Sequence, residues 1–90
     1  MLSVVAEKEA DTVYIHADLE GVALLESTLH KIRKQLESDE CDHDHLMSES
    51  WGSGELSETM LNQEAEDGCL QVHHMKLSGW NQEWRAKHGL

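Results

Sequence analysis

Residues 18–36 read DLEGVALLESTLHKIRKQL, and this stretch sets the expectation for the whole fold. Asp18 is a good N-cap residue and Glu20 suits the first helical turn, while basic residues follow near the other end, where the helix dipole favours positive charge. The stretch therefore predicts a helix over residues 19–37. Its main apolar residues are separated by three, four, three and four positions, which places them on one face. We expect this face to be buried, and its members are Val22, Leu25, Leu29, Ile32 and Leu36.

On either side of this helix the sequence predicts short strands and turns. The β-branched and aromatic residues at 12–17 indicate a strand, which we expect to form a hairpin with residues 2–8. Two more strands are predicted at 41–47 and 69–77, and Ser78-Gly79 is expected to end the second. The remaining segments are a loop at 48–54, a strand or one helical turn at 55–61 with the strand favoured, an acidic turn at 62–68 and a short helix at 80–88.

Ninety residues suffice for one domain, so residues 1–90 are expected to fold as a single unit. The element order favours the α+β class, with one long amphipathic helix packed on one face of a mostly antiparallel sheet and a short C-terminal helix. The chain has no Phe and no Pro, and only 4% of its residues are aromatic. We therefore expect a modest core built from Leu, Val, Ile, Met and some Trp.

The charge balance narrows the possible partners. Seven Lys and Arg stand against 18 Asp and Glu, for a formal net charge of −11. This balance opposes binding to nucleic acid or to anionic lipid, and it favours encounter with a basic protein. No stretch is apolar enough to span a membrane, and residues 1–10 are too short and acidic for a signal peptide. With two cysteines and no CxxC motif, the sequence predicts a soluble cytoplasmic protein. We also expect it to be a monomer or a homodimer and to use no cofactor.

Histidine is the unusual residue type, with seven copies in 90 residues. Cys41, His43 and His45 share one face of their predicted strand, and with His73 or Cys69 they could form a tetrahedral metal site. The alternative is a half-exposed polar face whose histidines satisfy hydrogen bonds. No pair has the spacing of a known zinc motif, so this alternative is favoured and no metal is expected. Nothing in the sequence singles out a catalytic residue, and we expect no enzymatic activity.

Three tryptophans point instead to binding, because Trp is enriched at interface hot spots. One of them should close the core, since each buries a large area. We expect Trp80 to do so and expect Trp51 or Trp84 to contact a partner. Acidic residues are expected to contribute to the same partner-binding surface, with Asp42 and Asp44 as the candidates.

Several segments, in order, resemble the immunity protein 32 family of bacterial polymorphic toxin systems, over about two-thirds of the chain. The segments that carry the resemblance are Leu19 to Leu29, His43-Asp44-His45-Leu46, Trp51-Gly52, Glu55-Leu56 and Val72 to Trp80. The resemblance implies a small bacterial cytoplasmic protein that binds and inhibits a cognate protein toxin, and the acidic balance suggests that the toxin is basic. It implies no catalytic residue. The other interpretation is a small metal-binding (His/Cys) or dimeric adaptor domain without catalytic activity.

Overall fold

The computed structural model describes residues 1–90, and it confirms the α+β class. Its elements are, in chain order, β1 (Leu2–Ala6), β2 (Val13–Ala17), α1 (Leu19–Gln35), β3 (Cys41–Met47), a 3-10 turn (Glu49–Trp51), α2 (Asn62–Glu66), β4 (Leu70–Gln71), β5 (His74–Trp80) and α3 (Gln82–Lys87). The strands form two antiparallel sheets, one in the order β2-β1-β4 and one made of β3 and β5. α1 packs across both sheets, and α3 follows β5 directly. No helix is long and apolar enough to cross a membrane.

The predicted N-terminal hairpin is present, and it provides the central strand of the larger sheet. Its register runs from Leu2 opposite Ala17 to Ala6 opposite Val13. Four consecutive residues of β1, Leu2 to Val5, are buried, because the strand is covered on both faces. The opposite edge of β1 pairs with β4. Leu2 and Val4 belong to the main core cluster, which is completed by Leu46 and Leu56.

The strand predicted at 69–77 is in fact two strands that serve different sheets. The Val72 N–H donates to the carbonyl of Val4 at 2.8 Å, whereas the next carbonyl, that of His73, accepts from Ser48 N–H at 2.9 Å. The chain thus leaves β1 and joins β3 between residues 72 and 73. At this irregular step the side chains exchange faces of the sheet. From His74 onwards, β5 therefore starts a new alternation between the exposed face and the face towards the core.

Ser78-Gly79 does not end the strand, which continues to Trp80. Gly79 lies where α1 crosses the sheet. A Cβ atom there would lie 2.4 Å from Cγ2 of Ile32 and 3.0 Å from Cδ1 of Leu36. The glycine is therefore a point of close approach between helix and strand, which is a common reason for glycine inside a strand.

α1 begins and ends almost as predicted, with the Asp18 side chain accepting a hydrogen bond from Gly21 N–H at 3.0 Å. Its buried face is different. Ile32 is buried as expected, but Val22 is 44% exposed and Leu29 is 55% exposed. The prediction that these two residues line the core is wrong. The contact is centred on small residues, Gly21 and Thr28, which let the helix approach closely and turn the Val22 and Leu29 side to solvent; Leu25 and Leu36 are half-buried.

The segments between β3 and β4 also differ from expectation. Residues 55–61 form neither a strand nor a helical turn; they are a loop with one isolated bridge between Leu56 and Ser48. Leu56 is nonetheless buried in the core cluster. The acidic segment 62–68 contains α2 rather than only a turn. Its Glu64 is buried, which explains why an acidic stretch is ordered against the sheet.

Candidate functional site

The outward face of the β3–β5 pair carries most of the histidines. Along β3 and β5 alternate side chains point to opposite faces. One face packs towards α1, as shown by buried Leu46 and by the contact of Gly79 with Ile32. The other is open to solvent, and we call it the histidine face. Its members are Cys41, His43, His45 and Met47 on β3, and His74, Lys76, Ser78 and Trp80 on β5.

Three imidazoles meet on the histidine face. His45 Nδ1 lies 2.7 Å from His74 Nε2, so one ring donates a hydrogen bond to the other. The two residues are diagonal neighbours, because His45 is opposite Lys76 and Met47 is opposite His74. The ring of His43 lies edge-on to that of His45, with centroids 5.1 Å apart. Partial burial, followed by the positive charges of His74, His43 and Lys76, lowers the pKa of His45 below 6.5.

Trp51 projects beside these rings from the 3-10 turn. Its indole stacks on the ring of His73, with centroids 6.0 Å apart and planes 8° from parallel. His73 is fixed in turn, because its Nδ1 lies 2.8 Å from Oγ of the fully buried Ser48. The turn itself is held by the Trp51 N–H, which donates to the Ser48 carbonyl at 3.0 Å. Trp51 is still 58% exposed, so this turn presents a fixed indole to solvent.

The other two tryptophans pack against each other, with their rings tilted, at the far end of β5. Trp80 and Trp84 have ring centroids 4.3 Å apart, and the His88 ring stacks on Trp84 at 3.6 Å. Trp80 and Trp84 are both half-buried. Trp80 therefore packs mainly against α3 rather than in the central core, where we had expected it. Trp84 lies between two rings, which leaves less of its surface free than Trp51 has.

Asp42 and Asp44, the predicted acidic partner residues, lie on the face of β3 that packs towards α1. Asp44 accepts from Lys31 Nζ at 3.3 Å and from the backbone N–H of His45 at 2.9 Å. The His45 N–H, followed by Lys31, lowers the pKa of Asp44. Asp42 is half-buried, and its Oδ2 has no hydrogen-bond partner. Both carboxylates therefore point away from Trp51 and the histidine face.

The metal set that the sequence offered only as the disfavoured alternative, Cys41, His43 and His45 with His73 or Cys69, does not converge. Cys41 is opposite Trp80 at one end of the ladder, whereas His73 is beyond its other end and bonded to Ser48. The group of ligand atoms that does lie within 4.8 Å of one another is Glu7, Glu9 and Asp11, in the exposed turn between β1 and β2. Cys69 lies apart from the histidine face, on the segment before β4, and partial burial followed by the charge of Glu64 raises the pKa of its thiol.

Sequence reasoning missed two side-chain contacts, His45 with His74 and His16 with Glu64. His74 takes the place on the histidine face that we had expected for His73, and counting back by twos from Trp80 would have placed it there. The second is the pair of His16 and Glu64, whose Nε2 and Oε2 atoms are 2.8 Å apart although the residues are 48 positions apart in sequence. No short-range pattern signals that pair.

This region carries side chains that are suited to recognition. It combines an exposed indole, which can bury apolar area, with imidazole nitrogens, which can donate, accept or coordinate. Neither cysteine lies within hydrogen-bonding distance of a histidine. Comparison of the chain with family models, with curated proteins and with solved structures gives no match.

Proposed function

We propose that this protein is an immunity protein, which binds a cognate bacterial toxin domain in the cytoplasm and inhibits it, with Trp51 as the main anchor. The observation that carries the proposal is the exposed and fixed indole of Trp51. The resemblance of the ordered segments to the immunity protein 32 family supplies the class of partner. The net charge of −11 supports a basic toxin.

Trp51 has the properties of an interface hot spot. Its exposed indole offers a large apolar area for burial, and its conformation is already set by His73 and by the hydrogen bonds of the turn. A side chain that is ordered before binding loses less conformational entropy on binding. Trp is also the residue type most enriched among interface positions whose truncation weakens binding strongly.

Acidic groups flank Trp51 directly. Glu49 is exposed in the same turn, and the exposed Glu58 accepts a hydrogen bond from Ser50 N–H at 2.8 Å. The hydrogen bonds from Ser50 lower the pKa of Glu58, so this carboxylate is ionised at neutral pH. These two glutamates, rather than Asp42 and Asp44, are placed to meet a basic partner around the indole.

The test is co-expression with the toxin domain encoded beside this gene. We expect growth to be rescued and a 1:1 complex to form. Trp51→Ala should weaken the complex by about 2 kcal/mol or more, roughly 30-fold in Kd, mainly through faster dissociation. Leu29→Ala is the matched control, because Leu29 is similarly exposed but lies on α1, and it should leave affinity unchanged.

Salt gives a second measurement on the same complex. Because charge acts mostly on encounter, the association rate should fall as ionic strength rises, with a smaller effect on dissociation. Two results would contradict the proposal. One is the absence of rescue together with the absence of a complex at low salt. The other is a complex that Trp51→Ala leaves as tight as Leu29→Ala does.

A further inference from the structure

We infer that His43, His45 and His74 form a binding site for a divalent late first-row transition metal ion, the class that includes Co²⁺, Ni²⁺, Cu²⁺ and Zn²⁺. The site lies on the histidine face and differs from the set that the sequence suggested, because His74 replaces His73 and Cys41 takes no part. The inference does not rest on the proposed toxin binding. It concerns what these three side chains coordinate.

The backbone ladder holds the two closest ligands in register. His45 and His74 are on paired strands, and their facing nitrogens are 2.7 Å apart. Zinc bonds imidazole nitrogen at 2.0–2.1 Å in tetrahedral geometry, so two such ligands are about 3.3 Å apart. A small rotation of either ring widens the gap by about half an ångström, and the donor ring moves its proton to its other nitrogen, so that both facing nitrogens present a lone pair to the metal ion.

His43 supplies the third nitrogen. It is two residues before His45 on the same strand, and therefore on the same face, with the ring centroids 5.1 Å apart. Its ring is exposed and has no hydrogen-bond partner, so it is free to turn towards the His45–His74 pair. As they stand, the three rings do not bring one nitrogen each within 4.8 Å of one another, so the full set forms only when His43 turns towards the His45–His74 pair. The resulting three-imidazole set keeps an open position and suits zinc, copper and nickel.

Charged side chains near the three imidazoles affect how well the site binds a cation. Metal ions bind the neutral form of imidazole. Lys76, directly opposite His45, opposes a cation, although its exposed ammonium can extend away into solvent. Asp44 is the nearest carboxylate in sequence and lies on the opposite face of β3. The face thus offers no carboxylate, and the imidazoles are its nitrogen ligands for a metal ion.

Three other histidines are already engaged elsewhere. His73 is bonded to Ser48, His16 to Glu64, and His88 Nδ1 lies 2.8 Å from the carbonyl of Trp84. His30 is exposed on α1, which packs against the opposite face of the β3–β5 pair. It therefore provides the matched control for substitution of a single surface histidine.

The experiment is a titration of the full chain, first stripped with EDTA, with ZnCl₂ by isothermal calorimetry at pH 7.5. We expect one ion per chain. His45→Gln and His74→Gln should each weaken binding at least about tenfold, in line with the loss seen when metal-site groups are removed. His30→Gln should bind as the parent does. Because these side chains lie on an open face, circular dichroism should show all three variants folded.

Two further readouts assign the ion to this site. With CuCl₂, tryptophan fluorescence should be quenched in the parent and much less in Trp51→Phe, since the Trp51 and His74 rings are 6.4 Å apart. In NMR spectra with Zn²⁺, the imidazole signals of His43, His45 and His74 should shift, whereas those of His16 and His30 should stay in place.

The inference is overturned if His45→Gln and His74→Gln bind zinc like the parent, or if Glu9→Gln abolishes binding, which would assign the ion to the acidic turn. It is also overturned if His30→Gln weakens binding as much as His74→Gln. Toxin binding measured in EDTA is unaffected by any of these results, so the two proposals can fail separately.

Discussion

Glu64 is the only carboxylate among the buried residues. It is 7% exposed, with Oε2 bonded to His16 and Oε1 accepting from Leu61 N–H at 3.0 Å. These contacts connect α2 to β2 across the sheet. The hydrogen bond from His16, followed by the Leu61 N–H and the charge of His16, lowers the pKa of Glu64 below 4.5, against the opposing effect of burial.

The lowered pKa predicts a specific pH dependence. A carboxyl whose pKa is lower in the folded state stabilises the fold above its unfolded value, and that contribution is lost as pH falls through the folded value. For Glu64 the loss begins below about pH 4.5. Glu64→Gln should therefore be less stable than the parent at pH 7, and the difference should shrink as pH falls below 4. Urea unfolding from pH 7 to pH 3 measures it, with the exposed Glu66→Gln as control; a constant difference would contradict the assignment.

At the scale of single elements, α1 shows how a periodic pattern can give the right helix and the wrong face. The Val22 and Leu29 side is apolar, yet the contact with the sheet runs through Gly21, Thr28 and Ile32. The helix packs through its smaller residues because they let its axis approach the strands closely, and Gly79 allows the same close approach from the strand side. The apolar flank that remains in solvent does not contribute to the core.

This register predicts two very different alanine substitutions. Ile32→Ala removes a side chain that is 6% exposed and should cost about 2–5 kcal/mol of unfolding free energy. Leu29→Ala, on the exposed flank, should change stability by less than about 0.5 kcal/mol. Chemical denaturation of both variants tests the pair. Equal costs would mean that the helix is rotated towards the face that the sequence pattern suggests.

At the scale of the whole molecule, the core lies apart from the histidine face, so we expect folding not to depend on a bound ion. The core cluster of Leu2, Val4, Leu46 and Leu56 is built from β1, β3 and the loop before α2. The three metal-binding imidazoles lie on the other side of the β3–β5 pair, where backbone hydrogen bonds already fix their positions.

EDTA should therefore leave the circular dichroism and the melting temperature of the protein unchanged, unlike a zinc-dependent fold, which a chelator unfolds. Zinc added well above its Kd should stabilise the folded state and so raise the melting temperature. At a hundredfold excess over Kd the stabilisation is about 2.7 kcal/mol. At the same zinc concentration the stabilisation should fall to about half or less in His74→Gln, because its Kd is at least about tenfold weaker. Unfolding by EDTA alone would contradict the separation of core and metal site.

The sequence by itself determined the α+β class, the position of α1 and the N-terminal hairpin. Each of these follows from local signals: the cap at Asp18, the helical spacing and the β-branched run at residues 12–17. It also named Trp51, together with Trp84, as a candidate for partner contact, because Trp is enriched at interface hot spots.

Only the tertiary structure decided which helix face is buried, which histidine joins His45, and where Asp42 and Asp44 point. Each depends on contacts between residues far apart in sequence. The buried face depends on how closely α1 can approach Gly79, and the choice of His74 depends on the transfer of the chain from β1 to β3 at residues 72–73. Because strand alternation has a period of two, that one irregular step exchanges the faces of all later residues and so sets the composition of the site.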